Sequence, residues 1–238
     1  MKKHNNTCLL ITGTITPANG VYGLYLSDRA ERRRQYIESI RFYIEKADVQ
    51  HIVFCENSEA PEELELYKLA RDEGKNFEWL SFRGNEQAVA ERGKGYGEGE
   101  IIDYALNNST VMKACTDFIK VTGRLRVINI NWVLRMTHEG SAYFYNCKEQ
   151  YIDTRFYIIS KAEYCNQLRD AYKSVNDREK YYLENVFLDR FKKFNIKYYN
   201  FPVDPHIEGI CGSSGLVYHR SPVKVFGKSV LRMLKLIK

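Results

Sequence analysis

The sequence predicts an α/β fold: a mostly parallel, Rossmann-like sheet flanked by helices, with a C-terminal basic amphipathic helix. Three observations carry this prediction. Over residues 1–125, short apolar runs alternate with stretches of helical periodicity, the pattern of a parallel sheet built from crossover helices. Each apolar run closes in polar residues, and such sheets bind ligands at those strand ends. At 238 residues, 44% hydrophobic and 28% charged, the chain is long enough to bury a full core without disulfide staples.

The elements follow in order. Cys8-Leu9-Leu10-Ile11-Thr12-Gly13-Thr14 reads as a buried first strand ending in a polar turn. Ser27 and Asp28 cap a helix running to about Ala47, with Tyr36, Ile37, Ile40 and Ile44 on one face. Residues 51–57 form a second strand, 58–61 open a second helix through about Asp72, and 77–82 form a third strand. Lys94-Gly95-Tyr96-Gly97-Glu98-Gly99-Glu100 reads as a glycine-rich turn. A helix from Glu100 to about Ala114 and a fourth strand at 117–121 come next. In the second half, 142–147 and 154–159 read as strands. Ser160 caps a helix to about Ser174, Asp177 caps another to about Phe194, and 197–201 is a late strand.

No repeat, low-complexity tract or linker demands a cut. Residues 1–221 therefore read as a single domain, with a nucleotide-binding half at 1–125 and an acceptor half at 126–221. Residues 222–238 form a tail helix with Lys224, Lys228, Arg232 and Lys235 in one basic stripe, and no acid occurs in 219–238. Such a helix suits an anionic membrane surface, and equally a surface helix with its charges in water. The six cysteines have no metal spacing, and several sit in apolar runs, which suits buried thiols. The N-terminus lacks the pattern of a secretory signal, and no run approaches the ~20 apolar residues of a membrane span. The expected location is the cytoplasm, with peripheral attachment to the inner face of the cell membrane.

Chemistry is expected at four places. A glycine-rich turn opening a helix lets backbone N–H groups approach a phosphate, which nominates Gly95 and Gly97, with Lys94 to attract the charge. The G-x-G-x-G spacing matches neither the dinucleotide nor the Walker fingerprint, so a plain tight turn stands beside this reading. Thr122-Gly123-Arg124 ends the fourth strand, and its guanidinium fork suits phosphate, as it equally suits a carboxylate partner. No Asp-x-Asp occurs, so no metal ligands are assigned; a divalent metal stays possible, and Lys94, Arg124 and Arg126 are the cations available to a diphosphate. A sugar transfer with inversion needs a carboxylate base; Glu184 and Asp153 qualify because both lie beside aromatic runs. The Gly-Ser-rich stretch at 207–215, flanked by His206 and His219, could close over a substrate.

Taken together, Ile11-Thr12-Gly13-Thr14-Ile15, Glu56-Asn57-Ser58, Lys94-Gly95-Tyr96-Gly97-Glu98, Lys120-Val121-Thr122-Gly123-Arg124 and Tyr182-Leu183-Glu184 resemble the bacterial surface-polysaccharide glycosyltransferases encoded with capsule and O-antigen clusters. The resemblance runs to about residue 220. It implies a glycosyltransferase-A type fold, a UDP-linked sugar donor and a lipid-linked glycan acceptor at the inner face of the membrane. By position it also implies that Thr12, Gly13 and Thr14 face the nucleotide and that Glu56 or Asn57 lies near the base. Lys94 and the 122–124 cluster would then flank the diphosphate, with Glu184 on the acceptor side. The missing Asp-x-Asp departs from the commonest members of that fold and opens metal-independent chemistry. Two other readings compete. A Rossmann-type methyltransferase or oxidoreductase would use Glu56 as the acid ending its second strand. A non-enzymatic glycan- or nucleic-acid-binding module would use the tail and the 18 tyrosines. A nucleic-acid partner is not expected.

Overall fold

A computed structural model describes residues 4, 6–18, 20–148, 150–210, 215–218 and 221–234. Its strands are β1 (Thr7–Gly13), β2 (His51–Glu56), β3 (Asn76–Ser81), β4 (Asp117–Thr122), β5 (Leu125–Val127), β6 (Ala142–Lys148), β7 (Tyr151–Ser160), β8 (Tyr198–Asn200), β9 (Ile207–Ile210) and β10 (Val217–Tyr218). Its helices are α1 (Arg29–Lys46), α2 (Leu64–Asp72), α3 (Glu86–Arg92), α4 (Lys94–Asn108), α5 (Thr110–Lys113), α6 (Ile130–Arg135), α7 (Lys161–Glu163), α8 (Leu183–Phe194) and α9 (Pro222–Met233). Among the described residues the main sheet has seven strands in the order β3-β2-β1-β4-β7-β6-β8. The first four are mutually parallel, β7 runs antiparallel to β4 and β6, and β8 is parallel to β6. A small second sheet joins β5, β9 and β10. The fold is thus α/β with a mostly parallel sheet flanked by helices.

Strand periodicity explains the layers. Successive side chains of β1 point to opposite faces. Leu9 and Ile11 pack into one core with Ile40, Tyr43 and Ile44 of α1, while Cys8 and Leu10 pack into another with Ile101, Ile102 and Ala105 of α4 and Phe187 and Phe191 of α8. Burial on both faces is why β1, β2 and β4 read as continuous apolar runs. Asp28 caps α1, accepting from the Glu31 N–H at 2.7 Å. Cys8, Cys55 and Cys115 are buried free thiols.

Four expectations are corrected. The glycine-rich stretch is no turn: Gly95, Gly97 and Gly99 lie inside α4. They are small because neighbours crowd that helix. A Cβ on Gly99 would fall well inside van der Waals contact of Tyr172, and one on Gly95 would lie 3.0 Å from Val175. The turn is Gly93, at φ +102°, between α3 and α4. The helix expected from Glu100 to about Ala114 breaks at Ser109, whose side chain caps α5. The helix from Ser160 to Ser174 is α7 followed by a π-helical turn (Tyr164–Leu168) and a 3-10 turn (Ala171–Ser174). Finally, Asp177 does not cap α8, whose N-cap is Tyr182. It accepts instead from the backbone N–H groups of Lys94 and Gly95 at the start of α4.

The tail helix α9 docks by its basic side. Lys228 and Arg232 both pair with the buried carboxylate of Asp204, at 2.9 and 2.7 Å, and Ser229 Oγ accepts from the Asp204 N–H. Val223, Phe226 and Leu234 face outward. Lys235, His219 and the Gly-Ser residues 211–214 lie outside the described residues. No helix among the described residues is long and apolar enough to cross a membrane.

Candidate active site

The order β2-β1-β4 puts a crevice at the carboxyl ends of β1 and β4, where crossovers leave the sheet in opposite directions. The two strand ends close tightly: the Gly123 N–H donates to Thr12 O at 2.8 Å, and a Cβ on Gly123 would collide with that oxygen. Gly13 is equally confined, since a Cβ there would lie 2.7 Å from the Phe54 ring. A cavity of about 1000 Å³ opens from this junction.

Residues 14–18 and 20–28 border the cavity and are fastened at several points. Arg32 donates from Nε to Thr14 O at 2.9 Å and from Nη1 to Leu26 O at 3.0 Å. Ser58 Oγ accepts from the Ile15 and Thr16 N–H groups, and Lys94 Nζ donates to Gly23 O at 2.7 Å. Asn57 Oδ1 accepts from Thr14 Oγ1 at 2.6 Å.

Thr12, Gly13, Thr14, Asn57, Lys94, Gly95, Gly97, Thr122, Arg124, Asp153 and Glu184 all line this one cavity. Three nominated residues do not: Glu56, Gly123 and Arg126, the last paired with Glu208 at 4.0 Å. Glu56 is fully buried, and its oxygens accept from Ser58, Ala60 and Ser81, so it braces the β2 exit. Gly123 supports the floor from behind.

The cavity divides electrostatically. On one side Arg32 and Arg124, 5% and 8% exposed, stand over the Tyr36 ring at 5.8 and 6.0 Å. Among the described residues no carboxylate pairs with either. Arg124 spends one N–H on Gln35 Oε1 at 3.0 Å. Burial, reinforced by the neighbouring Arg124 charge, pulls the Arg32 pKa below its usual value. The Glu31 carboxylate, held low first by its hydrogen bonds to Arg34 and Gln35, also feels the Arg124 charge, but it touches neither Arg32 nor Arg124. Two buried cations that no carboxylate contacts favour an anion between them.

The other side is acidic. Glu184, near the start of α8, accepts from Thr154 Oγ1 at 2.7 Å. Burial pushes its pKa up, outweighing that hydrogen bond, and the charges of Glu98 and Asp153 push the same way. Asp153 is committed elsewhere: both its oxygens accept from Arg155, whose guanidinium stacks on Tyr218 at 4.5 Å to the ring centroid. Asp177 sits at the start of α4, where a helix N-terminus attracts negative charge; burial raises its pKa despite those N–H bonds. The chain's own carboxylate thus occupies the place expected to cradle a phosphate. Tyr22, Tyr151 and Tyr182 stand exposed around the cavity.

The structure adds Glu98, Lys120 and Arg32 to the residues nominated from sequence. Lys120 is fully buried and donates to Glu98 Oε1, to Thr154 O at 2.8 Å and to Thr122 Oγ1 at 3.1 Å. A signal for it exists: a lysine inside Phe118-Ile119-Lys120-Val121 must find a partner if that strand is central. Arg32 carries no such mark among Arg29, Arg33 and Arg34. Among the described residues no group of three His, Cys, Asp or Glu side chains converges as a metal site, so the residues present do not make a ligand set on their own.

No protein-family model matches the chain, and no curated protein sequence matches it. Solved structures do. An inositol-1-phosphate CTP transferase from T. maritima superposes with a TM-score of 0.50 at 12% identity, over 96% of this chain and 98% of its own. A nucleoside-diphosphate-sugar pyrophosphorylase from Vibrio cholerae RC9 gives 0.49 at 10% identity, over 94% and 99%. The likeness is one of fold.

Proposed function

We propose that the chain is a glycosyltransferase that takes a sugar from a nucleotide-linked donor, UDP-linked in the first instance, and passes it to a glycan hydroxyl. The observation that carries this reading is the pairing of opposites in one cavity: two buried arginines that no carboxylate contacts, and the half-buried Glu184 with its raised pKa. In this reading the diphosphate lies by Arg124, with Arg32 behind it and Lys94 at the edge, and the nucleoside lies along 12–14 and Asn57. Glu184 takes the proton of the acceptor hydroxyl as the glycosidic carbon–oxygen bond to the diphosphate breaks and the new one forms. Tyr151 and Tyr182 offer aromatic faces to the acceptor sugar.

The neighbours in fold carry names of nucleotidyl and pyrophosphoryl chemistry, so that reaction class belongs in the test. Thermal shift with UDP, GDP, CMP, CTP, NAD and S-adenosylmethionine, each with and without Mn²⁺, separates the classes. Stabilisation by UDP without a metal requirement supports the reading. A response to CTP alone moves the reaction to nucleotidyl transfer, and a response to NAD or S-adenosylmethionine alone refutes both. Glu184→Gln should keep UDP binding while lowering sugar transfer by on the order of 10² or more.

The resemblance to capsule and O-antigen enzymes extends the proposal to a lipid-linked acceptor. In that setting α9 would meet the bilayer through Val223, Phe226 and Leu234 rather than its basic stripe. Phe226→Ser should then weaken co-sedimentation with anionic vesicles; unchanged binding would remove this part.

A further inference from the structure

Glu98 is a carboxylate held in an unusual way. Lys120 Nζ, Thr12 Oγ1 and Thr122 Oγ1 all donate to its Oε1, the two hydroxyls at 3.3 Å. Among the described residues nothing donates to Oε2. The side chain lines the cavity where the ends of β1 and β4 meet, and it is 21% exposed there. A fully buried lysine is thus committed to fixing one oxygen and leaving the other turned to the cavity.

The chemistry of that free oxygen narrows what it can bind. A phosphate is repelled by it. A divalent cation wants several anionic oxygens, and the Lys120 ammonium on the neighbouring oxygen opposes it. What remains is a neutral donor, and a sugar hydroxyl donating to a carboxylate makes one of the stronger kinds of hydrogen bond. Two further hydroxyls, of Thr12 and Thr122, flank the same spot.

We propose that Glu98, oriented by Lys120, is a hydroxyl-recognition residue that accepts a hydrogen bond from a sugar ring of the substrate. The ring belongs either to the ribose or to the transferred sugar, and the proposal rests on the nucleotide-sugar reading of the cavity. Glu98 would be a binding residue, and Lys120 a positioning residue acting through it.

Calorimetric titration of UDP, 2′-deoxy-UDP and UDP-glucose into wild type and Glu98→Gln tests this. The glutamine keeps an oxygen for Lys120 but replaces the free acceptor with an N–H donor. Loss of a charge-assisted bond should weaken binding by about tenfold or more. If the ribose is the ligand, the variant loses affinity for UDP, and wild type loses as much on going from UDP to 2′-deoxy-UDP. That second comparison needs no altered protein. If the transferred sugar is the ligand, UDP binds both proteins alike and only UDP-glucose binding falls. Binding of all three within about twofold of wild type overturns the proposal and leaves the nucleotide reading intact. Failure of wild type to bind any of them overturns both.

Discussion

Replacing Lys120 by methionine isolates the interaction that holds the cavity floor. The ammonium is fully buried and makes three contacts, to Glu98 Oε1, Thr154 O and Thr122 Oγ1. Methionine fills similar volume but strands Glu98. Removing one partner of a buried pair typically costs about 3–5 kcal/mol, most of it the charge left behind. Glu98 is 21% exposed to the cavity, so water offsets part of that charge and the lower figure, about 3 kcal/mol, applies. For a chain of this size 1 kcal/mol moves the melting temperature by roughly 2–4 °C, so Lys120→Met should melt about 6–12 °C below wild type. Adding Glu98→Gln removes the stranded charge and should restore roughly 2 kcal/mol of the loss. Calorimetric melts of the four proteins in the cycle check this. A single variant melting within about 3 °C of wild type, or a double variant no more stable than Lys120→Met, would refute the argument.

Other consequences are open to simple measurement. Burial holds the Glu184 pKa above its ordinary value, so the protonated form persists to higher pH in the folded chain. Turnover should fall as pH drops through that raised pKa, with an acid limb above the ~4.3 of free glutamate. The same shift makes Glu184 a destabilising group as pH rises through that window, and Glu184→Gln should flatten this part of the stability–pH curve. Gly99→Ala drives a methyl into the Cβ and ring of Tyr172; a loss of about 3 kcal/mol in urea unfolding is expected, with Gly97→Ala milder because only Val89 must give. Asp204→Asn removes the partner of Lys228 and Arg232, so limited proteolysis should cut near α9 well before it cuts the domain.

The parallel half of the sheet was legible because β1, β2 and β4 are buried on both faces and its first helix carries a plain cap at Asp28. The strand ends Thr12–Thr14 and Thr122–Arg124 were legible for the same reason. What failed was local chemistry overridden by packing. Three glycines in six residues signal a turn, yet here they thin one face of α4 so that Tyr172 and Val175 can approach. Asp177 looked like a cap for the helix that follows it; it caps α4, some eighty residues earlier, a long-range choice that spacing cannot encode. The small sheet of β5, β9 and β10 was missed because its strands are two to four residues long, too short for any period to register. Arg32 and Glu98 are ordinary helix-surface residues by pattern, and only the cavity distinguishes them.

The stacking of Arg155 on Tyr218 has a bearing on how the protein comes into being. One wall of the cavity is furnished by β10, while β9 beside it pairs with β5 some eighty residues earlier. A nascent chain that has emerged only as far as β7 still lacks α8, which covers one face of the parallel sheet, and β10, which closes the pocket on that side. Binding competence therefore arrives late in synthesis, and a chain cut short near residue 200 would lack Phe201, Val203 and Ile207 of the core as well as a finished site.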